Sequence, residues 1–354
     1  MTSSVPTGSL GPSRRDEISE RGTSIPRGAG RLKILVTGAS GFVGGSFVAR
    51  FRDRPELEIH GVGRRTLDRP AYTALDLSRP IDPAALPFRP DVVLHAAARA
   101  APWGTEEEYR RDNVDATRNV IDFCRRVGAP RLVYVSSSSV FYRPGPQLGL
   151  TEDSPIGPRF VNRYAATKAA GEALVREYPG AWLIVRPRAV FGPGDTVLFP
   201  RLLAAARSGK LPLFVERGPE AIGDLIYIDT LADYLLQAVT RSELYSAYNL
   251  TNAQPVPIQS FLLDLFRRLD LPAPKKKVSV RTAMLAAGLT EAAWRLLRLR
   301  GEPPITRFGV GVFAWSKTFD VSRALADLGP PSVSIEEGLE AFVRWQRAQA
   351  EGAP

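Results

Sequence analysis

Apolar runs of strand length alternate with amphipathic helical patterns along the chain from residue 32 onward. The apolar runs are Leu32–Val36, Leu57–Val62, Tyr72–Leu77, Asp91–His95, Leu132–Ser136 and Trp182–Arg186. The helical patterns between them cover Val43–Phe51, Tyr109–Val127 and Tyr164–Glu177. Strands that alternate with helices form parallel sheets through right-handed crossovers. The pattern therefore predicts an α/β fold with a doubly wound parallel sheet of the Rossmann type.

The pattern becomes irregular after Gly192, where prolines interrupt it more often. Further helices are predicted at Leu198–Ser208, Thr230–Thr240 and Ser260–Leu269. We expect residues 31–192 to form the dinucleotide-binding domain and residues 193–354 to form mainly a smaller, substrate-binding lobe. Some later strands are expected to return to the main sheet, with Asp224–Ile228 and Ala247–Leu250 as candidates. Residues 1–30 lack a hydrophobic period and are rich in Ser, Gly, Pro and Arg, which predicts a disordered extension.

A glycine-rich turn follows the first predicted strand and opens the first predicted helix. Thr37–Gly44 reads TGASGFVG, in which Gly38 permits a tight turn and Gly41 lets the backbone approach a pyrophosphate. The helix start directs free N–H groups and the positive end of its dipole at the phosphates. This context predicts a dinucleotide site. Its residues are Gly38, Ser40, Gly41, Phe42, Val43 and Gly44.

The end of the second predicted strand distinguishes between two cofactors. Sites for NAD usually carry an acidic residue there, but this chain has Gly63 followed by Arg64 and Arg65. A guanidinium can bind a 2′-phosphate through paired charge-assisted hydrogen bonds. The sequence therefore favours NADP(H) over NAD(H). Residues after the third and fourth strands are also predicted to contact the cofactor, namely Asp76, Leu77, Ala96, Ala97 and Ala98.

Two further motifs supply candidate catalytic groups. Tyr164–Lys168 reads YAATK, which places Tyr164 and Lys168 on one face of a helix. The ammonium is expected to lower the tyrosine pKa and to bind the nicotinamide ribose, so that Tyr164 acts as the acid/base. The run Ser136–Ser139 ends a strand at the cofactor crevice. One of these hydroxyls can hydrogen-bond the reacting oxygen of the substrate.

With these motifs in order, residues 32–350 resemble the extended short-chain dehydrogenase/reductase family. The matching segments are TGASGFVG at 37–44, DL at 76–77, HAAA at 95–98, NVDATRNV at 113–120, SSSSV at 136–140, YAATK at 164–168, RPRAVFGPGD at 186–195 and DLIYID at 224–229. The resemblance implies that Ser137 is the catalytic hydroxyl and that Tyr164 and Lys168 are its partners. It also implies contacts of Pro187 and Val190 with the nicotinamide, a small-molecule substrate and a homodimer.

Departures from the general family pattern indicate which branch of the family the chain resembles. Nucleotide-sugar epimerases and dehydratases usually have Asn at the position of Ala189, and Phe141-Tyr142 replaces the usual Tyr-Gly. Pro102-Trp103-Gly104 and the C-terminal segments are similar to the 3β-hydroxysteroid dehydrogenase branch, and most similar to bacterial 2-alkyl-3-oxoalkanoate reductases. The resemblance implies NADP-dependent interconversion of a secondary alcohol and a ketone on a β-keto, steroid-like or other lipophilic substrate. A nucleotide-sugar epimerase or dehydratase, or a non-enzymatic protein with this fold, remains an alternative.

Composition excludes several other classes of protein. The single cysteine, Cys124, cannot form an intramolecular disulfide, and only His60 and His95 are histidines. A histidine-rich metal site and a Ser–His–Asp hydrolase are therefore not expected, and no metal is predicted. The chain lacks an apolar run of about 18 residues and an apolar leader. We therefore expect no transmembrane segment, no secretion and a cytoplasmic location.

The net charge of +10 is concentrated in residues 264–300, with nine Lys/Arg against three Asp/Glu. No nucleic-acid-binding motif accompanies this charge, so nucleic acid is not an expected partner. Within this region residues 282–300 alternate leucines with arginines and contain Trp294. Such a helix can contact a membrane surface peripherally or cover an acyl pocket. It can equally pack its apolar stripe on the second lobe.

Overall fold

The computed structural model describes residues 30–351, except for residues 102, 210, 216–218 and 300. The predicted N-terminal extension, apart from Gly30, lies outside the described residues. So do Pro102 of the Pro-Trp-Gly motif and Arg300 of the basic amphipathic segment.

A seven-stranded sheet forms the centre of the molecule, and every neighbouring pair of its strands is parallel. Its order is β12-β7-β5-β4-β1-β2-β3. The strands are β1 Leu32–Thr37, β2 Leu57–Gly63, β3 Tyr72–Ala74, β4 Val92–His95, β5 Arg131–Val135, β7 Trp182–Pro187 and β12 Ala247–Leu250. This arrangement confirms the predicted Rossmann-type α/β fold.

Helices cover both faces of this sheet. They are α1 Phe42–Phe51, α2 Glu106–Tyr109, α3 Ala116–Arg126, α4 Arg163–Arg176 and α6 Ile228–Thr240. Alternate residues of β1 point to opposite faces, so Val36 packs in one core with Phe47 of α1, while Leu35 packs in another with Val120 of α3. Burial of these apolar side chains on both faces explains why the strands appear as continuous apolar runs in the sequence.

The helix predicted over 109–127 begins earlier than expected and is not regular. Thr105 and Glu108 form a capping box that starts α2 at Glu106. A π-helical turn, Arg110–Asp115, then connects α2 to α3. Apolar periodicity located the middle of this helix but missed its first turn, whose signal is the Thr-x-x-Glu spacing.

Most of the remaining helices and short strands form a second lobe against the carboxyl end of the sheet, whereas the helix Ser322–Leu328 packs on β12 and α6 in the core of the main sheet. The helices are α5 Phe199–Arg207, α7 Ile258–Arg268, α8 Val280–Leu296, α9 Arg307–Ala314, α10 Ser322–Leu328 and α11 Ile335–Glu351. The strands are β6 Gln147–Leu150, β8 Val190–Phe191, β9 Leu213–Val215, β10 Ile222–Gly223, β11 Ile226–Tyr227, β13 Val256–Pro257, β14 Lys277–Ser279 and β15 Lys317–Phe319. A buried aromatic cluster of Phe191, Phe199, Phe261 and Phe342 joins α5, α7 and α11.

The two strands considered for a return to the main sheet behave differently. Ala247–Leu250 pairs with β7 and forms one edge of the main sheet. Within Asp224–Ile228, β11 instead pairs with β8 in a separate two-stranded sheet, so its expected return is wrong. The β7 edge is already occupied by β12. Ala189, at φ 43°, turns the chain away from the main sheet before β8 begins.

The basic amphipathic segment forms α8, which has two different apolar faces. Ala283 and Ala287 are buried against Val310 of α9. On the opposite side, Leu285, Leu289 and Leu296 are at least 65% exposed. Among the described residues, none of the helices combines the length and the hydropathy needed to span a bilayer. The helix therefore packs on the second lobe and still presents a row of exposed leucines.

Candidate active site

A cleft of about 800 Å³ runs along the carboxyl ends of the sheet strands, between the sheet and the second lobe. Nearly all of the predicted site residues line it. These are Gly38, Ser40, Gly41, Phe42, Val43, Gly44, Arg64, Asp76, Leu77, Ala96, Ala97, Ala98, Ser137, Tyr164, Lys168, Pro187 and Val190. Arg65 does not line the cleft. Its carbonyl oxygen instead accepts a hydrogen bond from the Tyr72 hydroxyl.

The glycine-rich turn is packed so tightly that larger residues do not fit. Gly38 has φ +71°, and a Cβ there would lie 2.7 Å from the Ala97 nitrogen. A Cβ on Gly44 would lie 2.7 Å from the Gly38 carbonyl oxygen. The first turn of α1 therefore stands directly above the bend, with its N–H groups facing the cleft. This cradle fits the pyrophosphate of a dinucleotide.

Arginines surround one carboxylate where the cleft passes the end of β2. Asp112 lies 2.8 Å from the Arg111 guanidinium, 3.2 Å from that of Arg99 and 3.6 Å from that of Arg64. A Cβ on Gly63 would lie 2.7 Å from Ser40 Oγ, which leaves no room for the acid typical of NAD sites without a shift. Arg99 also lines the cleft, and sequence reasoning missed it because it follows the Ala96–Ala98 run without a motif of its own.

Tyr164 and Ser137 both line the cleft. Burial raises the pKa of the Tyr164 phenol above its ordinary value, and the nearby Ser137 side chain acts in the opposite direction. The sequence predicted a lowered pKa caused by Lys168. The cost of removing a phenolate from water is the larger effect, so the direction of the shift is opposite to the one predicted from the sequence.

Lys168 lies one helical turn beyond Tyr164 and is almost completely buried, at 1% exposure. Its Nζ lies 4.1 Å from the centre of the Tyr134 ring. Burial lowers the pKa of the Lys168 ammonium to about 7, although the charge of Glu172 opposes this shift. Gly171 has no side chain at the place where Tyr134 packs. The Lys168 side chain thus packs on the Tyr134 ring, and its burial favours the neutral amine more than in water.

Buried polar groups behind α4 fix this helix in place. Glu172 accepts hydrogen bonds from Ser136 Oγ at 2.6 Å and from Arg186 Nε and Nη2 at 2.8 and 2.7 Å. Asn113, on the π-helical turn, donates to Thr167 Oγ1 at 2.9 Å and accepts from the Arg99 nitrogen at 2.7 Å. Sequence reasoning assigned no role to Glu172 and missed these hydrogen bonds, because their signal is a tertiary contact between distant segments.

The histidines and the cysteine stand apart from the cleft. His95 is fully buried between the hydroxyls of Thr37 and Thr117, and burial with the nearby charge of Lys168 lowers its pKa to about 3. Burial raises the pKa of the Cys124 thiol to about 12, which makes it a packing residue. In the described part of the chain, no three His, Cys, Asp or Glu side chains are grouped to hold a metal ion.

The far half of the cleft is mainly apolar and comes from the second lobe. Its apolar lining residues are Leu198, Leu202, Leu225, Ile258, Phe261, Leu262, Phe308, Val312 and Phe313. A few polar side chains interrupt this surface, among them Tyr142, Arg188 and the ion pair between Arg201 and Glu302 at 3.0 Å. Such a wall accommodates a substrate with extended hydrocarbon parts.

Comparisons with known proteins agree with this geometry. The model of the NAD dependent epimerase/dehydratase family matches residues 34–251. A 2-alkyl-3-oxoalkanoate reductase of Stenotrophomonas maltophilia (strain K279a) is 37% identical, over 87% of this chain and 97% of the relative. A protein of the same description from Shewanella oneidensis is 32% identical, over 86% of this chain and 84% of its own length.

A solved structure, MoeE5 in complex with UDP-glucose and NAD, has a TM-score of 0.68 at 23% identity. The alignment covers 90% of this chain and 99% of that one, and it shows the shared fold. The family model, the relatives and the fold agree with one another. The chain therefore belongs to the NAD dependent epimerase/dehydratase family, as an NAD(P)-dependent enzyme of the extended short-chain dehydrogenase/reductase type.

Proposed function

We propose that the protein is an NADP-dependent reductase of a lipophilic β-keto substrate, in which Tyr164 is the acid/base. The observation that carries the proposal is that Ser137, Tyr164 and Lys168 line one cleft together with the glycine cradle. The names of the two relatives support a 3-oxo substrate. The apolar wall of the second lobe supports a substrate with long alkyl parts.

The residues of the cleft fit both the cofactor and the reaction. The turn Gly38–Gly44 would hold the pyrophosphate, Arg64 the 2′-phosphate and Lys168 the nicotinamide ribose. When bound, the cofactor supplies the hydride for the ketone carbon. Ser137 orients the ketone oxygen by a hydrogen bond, and Tyr164 donates a proton to it as the alcohol forms. A raised phenol pKa keeps that proton on Tyr164 until the oxygen gains charge.

A substrate panel tests the proposed reaction. The purified protein is mixed with NADPH or NADH and with long-chain β-keto acids, steroids or nucleotide sugars, and loss of the nicotinamide absorbance is followed. We expect NADPH oxidation with β-keto acids. Conversion of a nucleotide sugar without net change in absorbance would instead establish an epimerase or dehydratase, the alternative in which the cofactor is regenerated at each turnover.

Arg64 is expected to determine the cofactor preference. Arg64→Gln should raise the KM for NADPH by about tenfold or more, because a charge-assisted hydrogen bond to the 2′-phosphate is lost. The KM for NADH should stay the same. Arg65→Gln is the matched control, since Arg65 is an adjacent exposed arginine outside the cleft, and we expect no change for either cofactor. Equal effects of Arg64→Gln on both cofactors, or a wild-type preference for NADH, would contradict the proposal.

The exposed face of α8 supports contact with an anionic lipid surface as a further part of the proposal. Leu285, Leu289 and Leu296 form an apolar row, and the exposed lysines Lys275–Lys277 precede the helix. Apolar side chains next to basic ones are typical of helices that bind membranes peripherally. The same surface would bring the protein to a lipophilic substrate.

Vesicle sedimentation tests this contact. We expect the protein to sediment with phosphatidylcholine vesicles that contain phosphatidylglycerol and to remain in solution without the anionic lipid. The double variant Leu285→Glu, Leu289→Glu should remain in solution with both. Leu148→Glu provides the control, because Leu148 is 66% exposed on a different surface, and this variant should sediment normally. Failure of the wild-type protein to sediment with anionic vesicles would remove this part of the proposal.

A further inference from the structure

Arg188 is a buried cation in the cleft, and it forms no ion pair with a carboxylate of the described residues. It follows β7 and is 7% exposed, and its backbone N–H donates to the Leu250 carbonyl at 3.0 Å. Within the described residues, its Nε is buried without a hydrogen-bond partner, and no carboxylate lies within 4.0 Å of its guanidinium. A buried charge without a partner is costly, so such groups usually face a ligand or a counter-charge.

Neighbouring cations show how unusual this arrangement is. Arg186, two residues earlier, is held by two hydrogen bonds to Glu172. Lys317 donates to three oxygens, those of the Arg143 and Gly145 carbonyls and of the Gln147 side chain, at 2.9 Å each. Both of these groups are satisfied by the protein, whereas Arg188 is not.

The buried carboxylate of Asp224 interacts with the charge of Arg188, but the two side chains form no ion pair within 4.0 Å. Its Oδ2 accepts from the Phe319 nitrogen at 2.8 Å, and its Oδ1 has no hydrogen-bond partner among the described residues. Burial raises the pKa of Asp224, and the charge of Arg188 only partly opposes this. Arg188 and Lys317 therefore supply two positive charges near a single carboxylate, that of Asp224, whose ionisation is opposed by burial.

Tyr142 holds the guanidinium in position next to the reacting groups. Its ring centre lies 5.1 Å from Arg188 Cζ, and Phe308 stacks on the same ring at 6.5 Å. The Tyr142 hydroxyl lies 3.3 Å from Ser138 Oγ, directly beside Ser137. This tyrosine stands where the family that the chain resembles usually has glycine, and its ring supports the guanidinium.

We propose that Arg188 binds the carboxylate of the substrate and selects β-keto acids over neutral ketones and esters. This inference rests on the proposed function, because it requires the ketone oxygen to lie at Ser137 and Tyr164. A carboxylate two carbons from that oxygen needs one cation at short range, and an arginine provides a planar pair of N–H donors for it. A diphosphate needs more donors, whereas Ala189 offers no side-chain donor and the adjoining walls are apolar.

The test compares a long-chain 2-alkyl-3-oxo acid with its methyl ester, each with NADPH and the full-length protein. We expect the wild-type kcat/KM to be about 100-fold higher for the acid. Arg188→Gln should lower the value for the acid about 100-fold and leave that for the ester within threefold. Arg188→Lys should recover part of the preference. Arg65→Gln is the control, because Arg65 is an exposed arginine that does not line the cleft, and the acid/ester ratio should not change.

Several outcomes would overturn the proposal. Equal wild-type rates with acid and ester would do so while leaving the reductase function intact, whereas no oxidation of NADPH with any ketone would refute the function itself. An equal loss for acid and ester in Arg188→Gln would assign Arg188 to folding or general positioning. Inhibition by UDP, but not by a 3-hydroxy acid, that disappears in Arg188→Gln would assign it to a diphosphate instead.

Discussion

Tyr164→Phe should lower kcat/KM by about 10²–10⁴-fold, the usual contribution of a positioned acid/base. The substitution removes one hydroxyl, which donates the proton to the ketone oxygen in the proposed reaction. The ring stays in place on α4, so the Tm and the Kd for NADPH should remain close to the wild-type values. Steady-state rates, thermal unfolding and fluorescence titration with NADPH measure these three quantities.

Tyr178→Phe is the matched control for this variant. The Tyr178 hydroxyl donates to the Pro130 carbonyl at 2.6 Å, in a core remote from the cleft. Its removal should lower the Tm and leave kcat/KM unchanged, which is the opposite of the result expected for Tyr164→Phe. Undiminished turnover of Tyr164→Phe would show that another group supplies the proton.

Arg186→Met should destabilise the fold by about 3–5 kcal/mol, because it leaves the Glu172 carboxylate buried without its partner. Arg186 and Glu172 are both at most 2% exposed and are joined by two hydrogen bonds. The free energy of unfolding from urea titration measures the loss. The double variant Arg186→Met, Glu172→Leu should be more stable than Arg186→Met alone, because it removes both charges together.

Arg176→Met serves as the control for the same carboxylate. Arg176 lies 3.6 Å from Glu172 and is 45% exposed, so it should contribute at most about 1 kcal/mol. An equal loss for Arg176→Met and Arg186→Met would mean that burial does not determine the strength of this network. A small loss for Arg186→Met would mean that water or another group stabilises Glu172.

The local pattern of apolar and polar residues was enough to predict the architecture of the nucleotide-binding part of the chain. The apolar runs and the glycine turn predicted the parallel sheet, and the motif order indicated the family that the comparisons confirm. The pattern overestimated β3, predicted over Tyr72–Leu77, which ends at Ala74. The Asp76 carboxylate accepts from the Ser78 nitrogen at 3.0 Å and so forms a local turn. In the sequence, the only sign of this competing side-chain hydrogen bond is that residue 76 is an aspartate.

The candidate site was predicted less completely, because several of its contacts join residues that are far apart in the sequence. YxxxK and the serine run could be found because each is a local spacing with a chemical meaning. The counter-ion of Arg186 could not, since Glu172 reaches it only through the packing of α4 on the sheet. It is still harder to predict that Arg188 forms no ion pair within the described residues, because ionic partners cannot be identified from the sequence alone. The raised pKa of Tyr164 likewise depends on burial, which motifs do not report.

Because β12 comes late in the sequence, the main sheet stays incomplete for part of the time during which the chain is synthesised. Six strands of the main sheet are complete at Pro187, but the seventh begins only at Ala247. At about 5–20 residues per second, the growing chain waits roughly 3–12 s for that strand. During this interval the β7 edge has no neighbour, and an open apolar edge can pair with another nascent chain. The interval between these two residues is therefore the period of synthesis in which a chaperone would protect this protein most.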